Sequence, residues 1–219
     1  MKKSFILKMS VKIFIVGMFI LFMTGTVFSN TAQPSRFTLN FDDAYLIFMP
    51  GSLSMQIIAE NNVLSYGEDW EIKQLKPYLF HLRLRSWQGF YWQLNTSRKE
   101  VYRVRNNQFG TLGGDQNKLP ITVTSSGSNF KLLFSNAYLV YVPNSGTLQI
   151  AAEGNVLSYG SNWTAIQKKP YLYHLKKNSW QGFFWQVNTS RKELYMIRGI
   201  IGSYDGERTM KNAAVIPYY

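Results

Sequence analysis

The chain has no cysteine among its 219 residues. That excludes disulfides, a thiol nucleophile, any thiolate metal site and a lipid anchor carried on cysteine. Histidine is almost as scarce, with only His81 and His174. A metal site takes three or four protein ligands, so no metal and no cofactor are expected. Acids are few: 12 Asp and Glu stand against 24 Lys and Arg, a formal charge of +12. No serine sits in a nucleophile elbow, and no glycine-rich loop leads into a helix in the phosphate-binding pattern. Beyond the N-terminus there is no second apolar run long enough to span a membrane.

The first 29 residues read as a signal peptide. Lys2, Lys3, Lys8 and Lys12 precede an apolar run from Ile13 through Met23, and Val27 and Ser29 fit the small-residue rule for cleavage after Ser29. Export is therefore expected, to a periplasm or to the medium. The remaining chain would carry +8. A basic exported protein meets anionic envelope polymers, acidic glycans or lipid headgroups before nucleic acid, which is not expected as a partner.

Aromatic residues are abundant: six Trp, fourteen Tyr and fifteen Phe. Many of them belong to an internal repeat. A shift of 93 aligns 35–105 with 128–198 without a gap, with 42 identities in 71 positions. SWQGFYWQLNTSRKEVY (Ser86–Tyr102) returns as SWQGFFWQVNTSRKELY (Ser179–Tyr195). The expected organisation is a signal (1–29), a first unit (30–115), a linker (116–127) and a second unit (128–219). Solenoid repeats are shorter and usually need three or more copies, so each unit is expected to close its own core, the alternative being one pseudo-symmetric body to which each copy supplies half a barrel or sandwich.

Within a unit the apolar period is two. Leu148, Ile150 and Ala152 alternate with polar neighbours, as do Phe80, Leu82 and Leu84. Asn-Thr-Ser-Arg-Lys, Glu-Asn-Asn and Glu-Gly-Asn read as hairpin turns. The expected fold is all-β: two tandem homologous antiparallel units, each a small sandwich or barrel of roughly six to eight strands.

Candidate ligand contacts come from residues that recur. Trp70, Trp87, Trp163 and Trp180 lie in loop contexts, where an indole can stack on a sugar ring. Arg98, Lys99, Arg191 and Lys192 at the turns would supply charge. His81 and His174 alternate with the apolar face and are placed on a basic, half-exposed one. AENNVLSYG and AEGNVLSYG locally resemble the mannose-binding motif of bulb-type lectins, in an acid, an asparagine two residues on and a tyrosine four after that. The resemblance implies glycan contact by Glu60, Asn62 and Tyr66, and by Glu153, Asn155 and Tyr159. The motif departs from the family's in using glutamate, in placing Gln56 and Gln149 two residues too far upstream, and in occurring once per unit, so membership is not inferred.

These features point to a non-catalytic, bivalent binding protein whose partner is a polysaccharide or another anionic envelope surface. A protein-directed role, as inhibitor of an exported enzyme or as assembly factor, predicts instead a single stoichiometric protein partner. A glycan-cleaving enzyme would need two carboxylates about 5–10 Å apart, for which Glu60 and Glu100 are the candidates.

Overall fold

The computed structural model describes residues 36–50, 54–67, 69–126, 129–142, 147–160 and 162–218. The signal peptide read at 1–29 lies outside them. The described chain is built of β-strands in four antiparallel five-stranded sheets. In the first half one sheet has the order β10 (Thr122–Ser126), β11 (Asn129–Leu133), β2 (Tyr45–Met49), β3 (Ser54–Ala59), β4 (Asn62–Tyr66). The other runs β5 (Trp70–Lys76), β6 (Leu79–Leu84), β7 (Phe90–Asn95), β8 (Glu100–Arg105), β9 (Asp115–Lys118). In the second half the orders are β14 (Asn155–Tyr159), β13 (Thr147–Ala152), β12 (Ala137–Val142), β1 (Arg36–Phe41), β20 (Ala213–Tyr218), and β15 (Trp163–Lys169), β16 (Leu172–Lys177), β17 (Phe183–Asn188), β18 (Glu193–Arg198), β19 (Arg208–Met210). Each half thus has ten strands, more than the period-two pattern suggested.

Apolar alternation places one face of each sheet against its partner. In the first half Phe48 of β2 meets Phe80 of β6 at 5.9 Å between ring centroids, and Phe80 meets Phe130 of β11 at 5.2 Å. In the second, Phe37 of β1 meets Tyr173 of β16 at 5.0 Å, and Phe41 meets Trp185 of β17 at 5.7 Å. Such tilted aromatic pairs add to the area they bury.

The structural halves do not coincide with the sequence copies. By the 93-residue shift β1 is equivalent to β11, and β2 to β12. Yet β1 pairs with β12 and β20 (Leu39 opposite Leu139 and Val215), while β11 pairs with β2 and β10 (Leu132 opposite Leu46 and Val123). The first strand of each copy therefore completes a sheet of the other. The two crossing segments run side by side, and Phe134 donates its backbone N–H to the Ala44 carbonyl at 3.1 Å. The segment 116–127, read as a linker, carries most of β9 and all of β10. Its polar and Ser/Thr-rich composition hid two edge strands, one in each sheet of the first half, whose buried side chains are few, Val123 among them.

Reciprocal contacts bind the halves. Trp87 Nε1 donates to the Val156 carbonyl at 2.8 Å, and Trp180 Nε1 to the Val63 carbonyl at 3.1 Å. The hydroxyls of Ser65 and Ser158, themselves 93 residues apart, meet at 2.7 Å. Equivalent residues touching each other, and each making its partner's contact in reverse, are the mark of an isologous two-fold interface, here formed within one chain.

Candidate functional site

The six tryptophans form two triads of nearly the same geometry. Trp70, Trp87 and Trp92 have ring centroids 5.0 to 6.1 Å apart. Trp163, Trp180 and Trp185 are 4.9 to 6.0 Å apart. Phe90 and Phe183 stack on Trp87 and Trp180, both at 4.7 Å. Trp70, Trp87 and Trp180 are buried, and Trp163 is half-buried against the same cluster. The expected stacking of Trp70, Trp87, Trp163 and Trp180 on a ligand ring is thus replaced by packing on one another. Gly89 and Gly182, at φ of 71° and 67°, turn the chain in the left-handed region so that each loop indole folds inward.

His81 and His174 also lie elsewhere than expected. Both are fully buried, each under a loop, 106–114 between β8 and β9 or 199–207 between β18 and β19. The Gly110 N–H donates to His81 Nδ1 at 3.1 Å, and the Gly202 N–H to His174 Nδ1 at 3.2 Å. The opposite nitrogens face Gln93 at 3.1 Å and Gln186 at 3.3 Å. Phe109 and Tyr204 descend from these loops onto the imidazoles. At the loop ends, a Cβ on Gly114 or Gly206 would come within 2.5 or 2.0 Å of the Arg105 or Arg198 carbonyl oxygen, so only glycine fits. Alternation set the histidines on the more polar strand face; it did not register that a loop covers each of them there.

An Nδ1 that accepts a hydrogen bond must be unprotonated. Burial holds both imidazoles below their ordinary pKa of 6.5, against a smaller opposing effect of the glutamine bonds. Lys73 lowers His81 further, and Lys168 and Arg208 lower His174. Since the unfolded state binds protons more readily, stability is full above about pH 6.5 and is lost as pH falls from there through the depressed folded values. The thermal midpoint is expected to drop between pH 7.5 and 5. A flat or rising midpoint over that interval would show that the loops accommodate imidazolium.

The lectin-like phrases are turns. Glu60 and Asn61, at φ of 51° and 60°, and Glu153 and Gly154, at 50° and 72°, form two-residue hairpin loops with both residues left-handed. The Asn62 side chain donates to the Glu60 carbonyl at 2.6 Å, and that of Asn155 to the Glu153 carbonyl at 2.7 Å. Asn155 Oδ1 in turn accepts from Arg103 of the first half. The Glu153 carboxylate accepts from the Ser135 N–H and hydroxyl at 2.9 and 3.0 Å. Glu60 accepts the Asn212 N–H at 3.1 Å. The Glu153 carboxylate thus holds the crossing segment 134–136, while Glu60 holds the approach to β20 and donates its backbone N–H to Asp43 Oδ1 in the crossing segment 42–44 at 2.8 Å. Tyr66 and Tyr159 are exposed, with Lys177 Nζ 5.2 Å from the Tyr66 ring centroid. Glu100 binds Lys118 at 2.8 Å and the Tyr102 hydroxyl at 3.1 Å, sharing no contact with Glu60. Among the described residues no three His, Asp or Glu side chains form a group that could hold a metal.

Arg98, Lys99, Arg191 and Lys192 are exposed at the tips of the β7–β8 and β17–β18 hairpins. Asn95 Oδ1 and Asn188 Oδ1 accept the backbone N–H of Arg98 and Arg191 at 3.0 Å, which fixes each turn. Lys99 and Lys192 close the turns at φ of 55° and 58°.

Arg191 opens onto a cleft of about 410 Å3 on the outer face of the second half. Tyr171, Tyr195 and Tyr204 wall it, Lys169, Arg191 and Arg208 supply positive charge, and Gln186 and Glu193 add polar groups. The volume falls in the range of small-ligand clefts. Tyr204 is held by Arg208, whose guanidinium donates to its carbonyl at 3.2 Å, and by Lys168, with Nζ 5.1 Å from the ring centroid. Sequence reading reached Arg191 but missed the tyrosines, because Tyr171, Tyr195 and Tyr204 come from separate elements that only the sheet and its loop bring together. No protein-family model, curated protein or solved structure matches the chain.

Proposed function

We propose that the protein is a non-catalytic binding protein for an acidic polysaccharide of a cell envelope or host surface, exported by its N-terminal segment. The observation that carries this is the outer-face cleft, where three tyrosines and three cations converge beside hydrogen-bonding side chains. Tyrosine offers an apolar ring face with a polar edge, which suits a sugar ring. Arginine presents a planar fork of donors to carboxylate. The basic balance of the chain adds long-range attraction for such polymers.

Arg191 is exposed, and Tyr195 is half-buried outside the core cluster with its hydroxyl unpartnered among the described residues, so both can be removed with the core left intact. The double variant Arg191→Ala, Tyr195→Ala is expected to weaken binding of oligogalacturonate roughly 10- to 100-fold. Its thermal midpoint should stay near that of the parent. Calorimetric titration at low and moderate salt measures this; unchanged affinity would remove the cleft from the binding surface.

A further inference from the structure

The same face of the first half is built differently. Lys118 stands opposite Tyr102 in the β8–β9 ladder, and Met210 stands opposite Tyr195 in β18–β19. Two ladder positions away from each, Gln116 occupies the place that Arg208 holds in the second half. Lys118 Nζ reaches Glu100 Oε1 at 2.8 Å, and the Tyr102 hydroxyl donates to Glu100 Oε2 at 3.1 Å. Both oxygens of that carboxylate are therefore engaged by their own sheet, and Lys118 bridges its two edge strands over Tyr102. In the second half Met210 cannot make this bridge. Neither Glu193 nor the Tyr195 hydroxyl has a side-chain partner among the described residues.

We propose that the two copies have diverged into one open and one closed site, and that the open one takes an acidic sugar offering hydroxyl donors beside its anionic group. The inference rests on reading the second-half cleft as the ligand site. Arg191, Arg208 and Lys169 receive the anion. Glu193 only accepts hydrogen bonds, so it repels a bare polyanion and selects one that carries donors, as a uronic acid does with its ring hydroxyls. In the first half Lys118 satisfies the equivalent acid internally. Binding is then one ligand per chain at this face, and the tandem sequence does not make the protein bivalent there.

The test uses two reciprocal substitutions at exposed positions. Met210→Lys supplies the missing bridge to Glu193, and Lys118→Met removes it from Glu100. Calorimetric titration with oligogalacturonate should give one site per chain in the parent. Met210→Lys should weaken that site about tenfold although it adds positive charge, while binding of polyacrylate, an anionic polymer without hydroxyls, holds or tightens. Lys118→Met should leave the parent site unchanged. Two equal sites in the parent, tighter oligogalacturonate binding by Met210→Lys, or a loss with Lys118→Met equal to that with Met210→Lys would overturn the proposal. If the Arg191, Tyr195 double variant binds oligogalacturonate as the parent does, the cleft itself is misassigned, and that outcome is separate from the effect of Met210→Lys.

Discussion

Leu39→Asp, near the beginning of the first sequence copy, will unfold sheets made mainly from the second copy. Leu132→Asp, at the equivalent point in the second copy, will do the reverse. Leu39 is fully buried in β1 between Leu139 and Val215, and Leu132 is fully buried in β11 between Leu46 and Val123. A carboxylate at either site loses the buried leucine, at about 2–5 kcal/mol, and brings in an unpaired charge whose desolvation costs several kcal/mol more. Domains of this kind are stable by only about 5–15 kcal/mol, so either change removes most of a half's stability. Hydrogen exchange resolves where the protection is lost. For Leu39→Asp it should collapse first in β12, β13 and β20, with β2 and β3 better protected; for Leu132→Asp the pattern inverts. Independent tandem units predict the opposite assignment, with each substitution loosening its own copy.

The strand exchange marks the limit of what the sequence discloses. Period-two alternation in β6 and β13 made the antiparallel sheets and their buried faces legible, because a half-buried strand writes its burial into every second residue. Turn chemistry was legible in the same way: Asn95 and Asn188 cap the turns that the Asn-Thr-Ser sequence indicated. Which β1 pairs with which β2 was not, since the two copies offer nearly the same partners. Leu39 faces Leu139 in this fold and would face Leu46 in a tandem one, and the residues are chemically identical. The chain crosses between sheets at the short segments 42–44 and 134–136, whose course periodicity does not encode. The site was partly legible for a related reason. Arg191 was marked by its turn, whereas Tyr204 gains its meaning only when loop 199–207 folds over His174. The histidines were misplaced because a strand pattern shows which face a residue takes, not whether a later segment returns to cover that face.

Replacing Trp87 and Trp180 together by alanine will collapse the joint between the halves and not merely silence a ligand surface. Each ring is buried in a triad with two other indoles and a stacked phenylalanine, so truncation costs on the order of 3–5 kcal/mol per site. The Val156 and Val63 carbonyls also lose their indole donors, at about 1–3 kcal/mol each if they stay shielded from water. The two losses fall on one interface and need not add, but either is large against the whole stability. Phenylalanine separates the contributions: Trp87→Phe and Trp180→Phe keep a ring in the cluster and forfeit the hydrogen bond, so they should cost less than alanine. Denaturant midpoints give the ordering, with the parent above the phenylalanine pair and the alanine pair lowest or unfolded. An alanine pair with the parent's midpoint and no glycan binding would return these indoles to ligand recognition. The reciprocal geometry argues against that outcome. The phrase Ser-Trp-Gln-Gly-Phe serves both copies in the same way: each half reaches a carbonyl of the other with its indole N–H, and an isologous contact needs the same residues on both sides.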